Sequence, residues 1–514
     1  MSSTATRGSY RSGFAFGILS FMVLTAIGVV STIVTARLYG IRAIGQFALV
    51  LAPVSALWVL STVKEQQALI KEISRLPPRH PRVTQLFAVV FTFSSTLTLL
   101  VTALAAVACW FVFRGPLRAP ALVAPTFVNL AGYALLTNTG WNVDSILSAF
   151  VAGRQLFWVR LHEISSFVMT ATAVGLIWRS VWGLVIATVV ASLTSLVHRA
   201  IAARAFIRPH LSWAEYRQGL DALPGLLRFG LKATPGQIAQ GISQQGGVWA
   251  VGVVSSVAVV GAYSRALFIP QRLQQVSMRV NEVLYPTLVG RHARGEGDGF
   301  DRALIDSIRY EAAGMLMIAA AIGGAAHAVL ELFGPGFTRA TSALALLSLY
   351  PALASVTVAQ TQALWAIDRP GLTSVVAGVR LAVTMALLVT LTPAIGIVGP
   401  AIALLAGYVV VIALNGVALR STLSRPLRAI WSLRERLALV AACGAGFLVA
   451  TLIEHSIPSA AALPLSFGAS ALAYVLVLVA AGGLNGRDRA RLGELLERAR
   501  AWRAPRVGEQ RALP

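Results

Sequence analysis

The feature that most constrains this chain is a succession of apolar runs, most of them long enough to cross a bilayer and each closed by a turn or a short basic segment. The runs cover 13–36, 46–63, 83–113, 121–150, 163–178, 183–198, 233–253, 257–286, 312–332, 342–366, 373–393, 397–419, 437–454 and 462–483. A spanning helix needs about 20 apolar residues to cross about 30 Å of hydrocarbon. Fourteen helices of that length use a little over half of the 514 residues. Hydrophobic residues make up 56% of the chain and charged residues 12%, against roughly 25% charged in soluble domains. A soluble core cannot absorb that much apolar sequence, because surface limits what a compact domain buries. The sequence therefore predicts an all-α integral membrane protein with about 14 transmembrane helices. The first run is longer than the 7–15-residue apolar core of a cleaved signal peptide, so it is expected to stay as the first helix.

The net charge of +23, from 43 Lys+Arg and 20 Asp+Glu, would suggest nucleic acid in a soluble protein. Here the cations sit in alternate loops. With the N-terminus inside, segments 1–12, 71–82, 154–160, 199–232, 291–309, 369, 420–436 and the tail from 484 hold 32 of them. The outside segments hold six: Arg37, Arg42, Arg114, Arg118, Arg179 and Arg339. Cytoplasmic loops collect Lys and Arg, so both termini are expected in the cytoplasm. Nucleic acid is not an expected partner. Cys109 and Cys443 both fall in apolar runs without metal-ligand spacing, and each is expected to serve packing. No metal site and no cofactor is expected.

An internal repeat divides the chain. Ile44-Gly45-Gln46-Phe47-Ala48 corresponds to Val260-Gly261-Ala262-Tyr263-Ser264, and Trp182-Gly183-Leu184 to Val398-Gly399-Pro400. Gly45 and Gly261 are 216 residues apart, as are Gly183 and Gly399. Six expected helices separate the equivalents, so both lobes run in the same topological sense, as in transporters with parallel repeats. The expected organisation is an N-lobe over 1–198, a basic cytoplasmic linker over 199–232, a C-lobe over 233–419, a final helix pair over 420–483 and a basic tail over 484–514. Trp213, Tyr216 and Leu220 at helical spacing mark an interfacial amphipathic helix within the linker.

These patterns resemble a known family. Leu38-Tyr39-Gly40 with Ile44-Gly45-Gln46-Phe47, Val260 to Ala266 with Leu284-Tyr285-Pro286, Leu332 to Phe337, and Gly396 to Ala401 are similar to segments of the polysaccharide transporters. These are the Wzx-like O-antigen and exopolysaccharide flippases, grouped with multidrug and toxin extruders and lipid II flippases. The resemblance implies two pseudo-symmetric six-helix lobes around a central cavity, with a terminal helix pair added. It implies a bacterial inner-membrane flippase for a polyprenyl-diphosphate-linked oligosaccharide. Its implied partners are that substrate, membrane lipids and other polysaccharide-assembly proteins.

Polar residues inside the spans are the site candidates, because a charge at the bilayer centre costs roughly 2.5–3.5 kcal/mol on insertion scales. Arg265, Arg272 and Arg279 stand at i, i+7 and i+14 in run 257–286 and share one helical face. They are expected to form a cationic wall that holds an anionic headgroup through charge-assisted hydrogen bonds; snorkelling is the alternative, above all for Arg279. Pro270 between them is a hinge candidate. Gln237, Gln240 and Gln244 suit sugar hydroxyls, and equally interhelical hydrogen bonds. The same two readings hold for Asn138, Asn142 and Trp141. Asp144 lacks an obvious local partner and is the candidate for ion coupling.

Enzyme chemistry finds no foothold. Walker A, HExxH and GxSxG patterns are absent, so neither ATP hydrolysis nor these catalytic arrangements is expected. The expectation is a non-enzymatic exporter, with a multidrug or lipid II type transporter and a membrane glycan polymerase or ligase as alternatives.

Overall fold

The computed structural model describes residues 10–61, 65–74, 76–150, 152–207, 212–225, 227, 234–423, 431–457 and 460–483, all helical, turn or coil without a strand. The tail 484–514, Lys64 and linker residues 208–211, 226 and 228–232 lie outside them, as do the side chains of Gln237, Arg279 and Glu282.

The N-lobe is built from α1 (Tyr10–Leu60), α2 (Glu65–Ile73), α3 (Pro81–Arg114), α4 (Val123–Gly132), α5 (Asn138–Ala149), α6 (Gly153–Ile177) and α7 (Val181–Ala203). α1 is two helices end to end: Gly40 takes φ 74°, ψ 169°, a left-handed φ that suits a residue without Cβ. The two arms correspond to the first two apolar runs. α4 and α5 are joined by a π-helical turn, Tyr133–Thr137, so run 121–150 stays one rod. α7 continues to Ala203, past the expected end at 198, and carries Arg199 inside the lobe. The linker contributes α8 (Trp213–Gly219), with Trp213 and Tyr216 stacked at 4.9 Å between ring centroids.

The C-lobe contains α9 (Thr234–Val254), α10 (Val257–Ala293), α11 (Gly297–Gly324), α12 (Ala326–Glu331), α13 (Thr341–Leu347), α14 (Tyr350–Ala366), α15 (Pro370–Ile395) and α16 (Val398–Leu419). The last pair is α17 (Leu433–Ser456) and α18 (Leu463–Ala480). α17 opens on a capping box in which Ser432 and Glu435 exchange side-chain and backbone hydrogen bonds, satisfying two otherwise orphaned N–H groups.

Among the described residues, nine helices are long and apolar enough to cross a membrane. α6, α9, α10 and α11 fall outside that set. α6 and α10 carry Arg160, Glu163, Arg265 and Arg272, and α9 a run of glutamines, so polarity rather than length sets them apart.

The chain's turns gather at two ends. At one, Tyr39 fills a slot opposite Gly175 and Gly183 and donates its hydroxyl to Ala171 O at 2.7 Å. Arg37 Nε donates to Leu332 O at 2.7 Å, and Gly336 lies against Ile41. This is the Gly40 end. Here the repeat closes on itself. A Cβ on Gly45 would strike Val257 O and lie 2.9 Å from Gly261 N; a Cβ on Gly261 would strike Ile41 O and lie 3.1 Å from Gly45 N. Ile41 and Val257 are also 216 apart, so the contact is reciprocal and the pseudo-twofold axis passes through the crossing of α1 and α10.

Packing differs between the ends. The main buried core takes residues from both lobes, among them Ile44, Leu49, Leu117 and Leu184 with Val260, Tyr263, Phe333 and Leu344. Toward the opposite, basic end the lobes have separate cores: Leu69, Phe87, Ile146 and Phe150 in one, Leu288, Leu304, Leu364 and Leu419 in the other. A fourth cluster, with Ala438, Leu439, Tyr474 and Leu478, seats α17 and α18 on α11.

Candidate functional site

The space left between the lobes holds two adjoining cavities of about 310 and 400 Å³ that share Phe167 and Arg272. The first reaches up under the Gly45–Gly261 crossing, with Ile44, Phe47 and Ala48 in its wall. The second lies between α6, α7 and α10, with Arg160, Glu163 and Gln275. Both volumes are of ligand-pocket size.

Arg265 and Arg272 stand on this wall, about 10 Å apart along α10 at 1.5 Å per residue. Arg265 Nε is buried without a hydrogen-bond partner. The Arg272 guanidinium lies 4.9 Å from the Phe268 ring centroid, and its Nη1 donates to Gln275 Oε1 at 3.4 Å. Neither forms an ion pair among the described residues. α10 runs through Pro270 as one helix, with Pro270 itself buried.

The amides are placed elsewhere. Gln240 lines a separate, smaller cavity inside the C-lobe, and Gln244 Nε2 reaches Tyr350 Oη at 3.5 Å. α9 turns this stripe toward α14–α16, and Gln245, one residue round the helix, faces the inter-lobe space instead. Asn138 and Asn142 are buried within the N-lobe. Asn138 Oδ1 accepts from Ser94 Oγ at 3.5 Å, and Asn142 Oδ1 accepts from Gln66 Nε2 at 3.3 Å. Trp141 packs edge-on against Tyr133 at 5.7 Å.

Asp144 gains a partner 55 residues away. Arg199, 3% exposed, donates from Nε to Asp144 Oδ1 at 2.9 Å and from Nη2 to Glu163 Oε2 at 2.7 Å. Ser195 Oγ bonds both Arg199 Nη1, at 2.5 Å, and Glu163 Oε2, at 3.2 Å. Gly140 leaves the room: a Cβ there would lie 3.0 Å from Arg199 Nη1. Glu163 also lines the second cavity, so Asp144 communicates with the inter-lobe space through Arg199. In sequence Arg199 directly follows run 183–198 and reads as the first cation of the basic linker, and nothing near Glu163 marks it.

Residues 34–309 match the family model described as polysaccharide biosynthesis protein. The chain belongs to that family. No characterised protein among the curated sequences matches it. In three dimensions it is similar to the lipid II flippase MurJ in an inward closed conformation, with a TM-score of 0.67 at 12% identity over 90% of this chain and 98% of that one. A MATE family multidrug resistance transporter of the MOP superfamily gives 0.61 in its inward-facing conformation, at 15% identity over 79% and 95%. An outward-facing MATE family structure gives 0.56, at 14% over 82% and 97%. At these identities the likeness establishes the fold: an all-helical membrane architecture like that of MurJ and the MATE transporters. The family description places the chain in polysaccharide biosynthesis.

Proposed function

We propose that this protein is a flippase or exporter that carries a lipid-linked oligosaccharide or polysaccharide repeat unit across the bacterial inner membrane by alternating access. The observation that carries the reading is Arg265 and Arg272, two guanidiniums without carboxylate partners among the described residues, on the wall of a cavity between repeated lobes. Half-buried cations without counter-charge favour an anionic ligand, and the substrate's diphosphate supplies one. The family supplies the glycan context.

In this mechanism the basic end faces the cytoplasm, as the cation count favours. The headgroup enters between the separate cores of that end and pairs with Arg272, then Arg265, while the polyprenyl tail remains in lipid. The lobes rock about the α1–α10 crossing, and the Gly40 end opens. With the inside negative, outward movement of an anion gains about 2.3 kcal/mol per charge per 100 mV, so the membrane potential contributes to the driving force. Ion coupling, where it operates, uses Asp144 and Glu163 around Arg199. The protein performs no covalent chemistry in this reading.

A strain lacking the protein is expected to accumulate lipid-linked repeat units on the cytoplasmic face and lose surface polysaccharide. Unchanged intermediates and unchanged surface polysaccharide would dismiss the reading. Arrest of peptidoglycan synthesis in that strain would instead favour a lipid II substrate, the rival raised by the likeness to MurJ.

A further inference from the structure

The C-lobe buries a cation away from the inter-lobe cavity. Arg380 lies midway along α15 and is 3% exposed. Its Nε and Nη2 are buried with no hydrogen-bond partner. One face of the guanidinium is covered by Tyr408, whose ring centroid is 3.8 Å from Cζ. Gly407 on α16 makes the space, since a Cβ there would strike Thr384 Oγ1 and lie 3.3 Å from Arg380 Cγ.

The helices around it offer no counter-charge. α9, α14, α15 and α16 contain one charged residue among them, Arg380 itself. A buried charge is tolerated when it is paired, and an unpaired arginine inside a membrane bundle marks a ligand or a pathway. The aromatic ring satisfies one face of the cation but none of its N–H groups.

Arg380 lines a cavity of about 60 Å³ together with Gln240, Thr361, Trp365 and Asn415. That is room for roughly one or two water-sized particles, too little for a diphosphate or a sugar. Its polar rim is neutral. Asn415 lines it and reaches Thr361 Oγ1 through Nδ2 at 3.5 Å, while its buried Oδ1 has no partner. The lining extends to Gly236, Trp365 and Thr373, where α9 and α15 begin and α14 ends.

We propose that this cavity binds a monovalent inorganic anion of about chloride size, held by the Arg380 guanidinium with the Gln240 and Asn415 amides completing its shell. The anion neutralises the buried arginine and ties together α9, α14, α15 and α16. The site is separate from the transported substrate's route and does not depend on what that substrate is.

The test uses the purified full-length protein in detergent, unfolded thermally in sodium chloride, sodium bromide or sodium gluconate at equal ionic strength. Halide is expected to raise the wild-type midpoint by about 2 °C or more over gluconate. Arg380→Gln is expected to remove that difference, and Arg265→Gln with Arg272→Gln to keep it. No halide effect in the wild type, or an undiminished effect in Arg380→Gln, would overturn the proposal. Should Arg380→Gln not fold, bromide-soaked wild-type crystals decide: an anomalous peak beside the Arg380 guanidinium supports the site, and its absence at high bromide refutes it.

Discussion

The two ends of this molecule are packed on different principles. At the Gly40 end, residues of both lobes share one buried core, and two glycines of the repeat meet backbone to backbone. At the basic end each lobe keeps its own core, and the lobes have no buried cluster in common among the described residues. A shared core resists separation because opening it exposes apolar surface, at roughly 25 cal/mol per Å². Separate cores let each lobe move as a body without unpacking itself. In the proposed mechanism this difference makes the Gly40 end the gate that must part, and the lobes, rather than single helices, the moving parts.

The strongest way to break this comparison is to wedge the closed end. Gly45→Val or Gly261→Val puts side-chain atoms where Val257 O or Ile41 O now lies. Overpacking of this kind costs about 1–3 kcal/mol or more, charged only to the state in which the Gly40 end is closed. Either variant is expected to reach the membrane, to lose about 10-fold or more of its transport, and to gain thiol accessibility at the Gly40 end in cysteine-labelling assays. Breaking the N-lobe's internal pairing tests whether that lobe is a rigid body. Arg199→Met leaves Asp144 and Glu163 without their cation and is expected to destabilise the protein by about 3 kcal/mol, read as a fall in the unfolding midpoint in detergent. The cavity between the ends is probed by Arg265→Gln and Arg272→Gln. A hydrogen bond to a charged group contributes about 1.5–3 kcal/mol, so each is expected to lower export about 10-fold or more while membrane insertion is unchanged; wild-type export by both would remove the cationic wall.

The smallest effect lies on the surface of the basic end. Arg82 Nη2 donates to Asp221 Oδ2 at 2.6 Å, tying α3 to the segment after α8. That hydrogen bond holds the Asp221 carboxyl below its ordinary pKa. A depressed folded-state pKa stabilises above the unfolded value, about 3.9, and the stabilisation is lost as pH falls through the folded value. Asp221→Asn is therefore expected to flatten slightly the acid limb of the stability profile and to lower the plateau above it by a similarly small amount.

Much of this contrast was legible in the sequence. The shared 216-residue offset singled out Gly45 and Gly261, which the structure brings together, and i, i+7 spacing put Arg265 and Arg272 on one face of α10. What was hidden depends on distant partners. Asp144 has no partner within reach along the sequence because Arg199 lies 55 residues away, past the end of run 183–198; periodicity does not register a salt bridge between helices. The α9 glutamine stripe was visible as a stripe, but its direction depends on how α9 packs against α15, so Gln240 faces the C-lobe cavity and Gln245 the inter-lobe one. Arg380 falls within run 373–393, and only its surroundings make it a site.

Cross-linking the closed end tests the account most directly. With Cys109 and Cys443 replaced by Ala, cysteines at Arg37 and Leu332, whose side chain and backbone now meet across the lobes, can be joined by a short reducible cross-linker in reconstituted protein. Movement of polyprenyl-diphosphate-linked oligosaccharide across the vesicle membrane should stop on cross-linking and return on reduction. Full transport by the cross-linked protein would contradict alternating access through this gate.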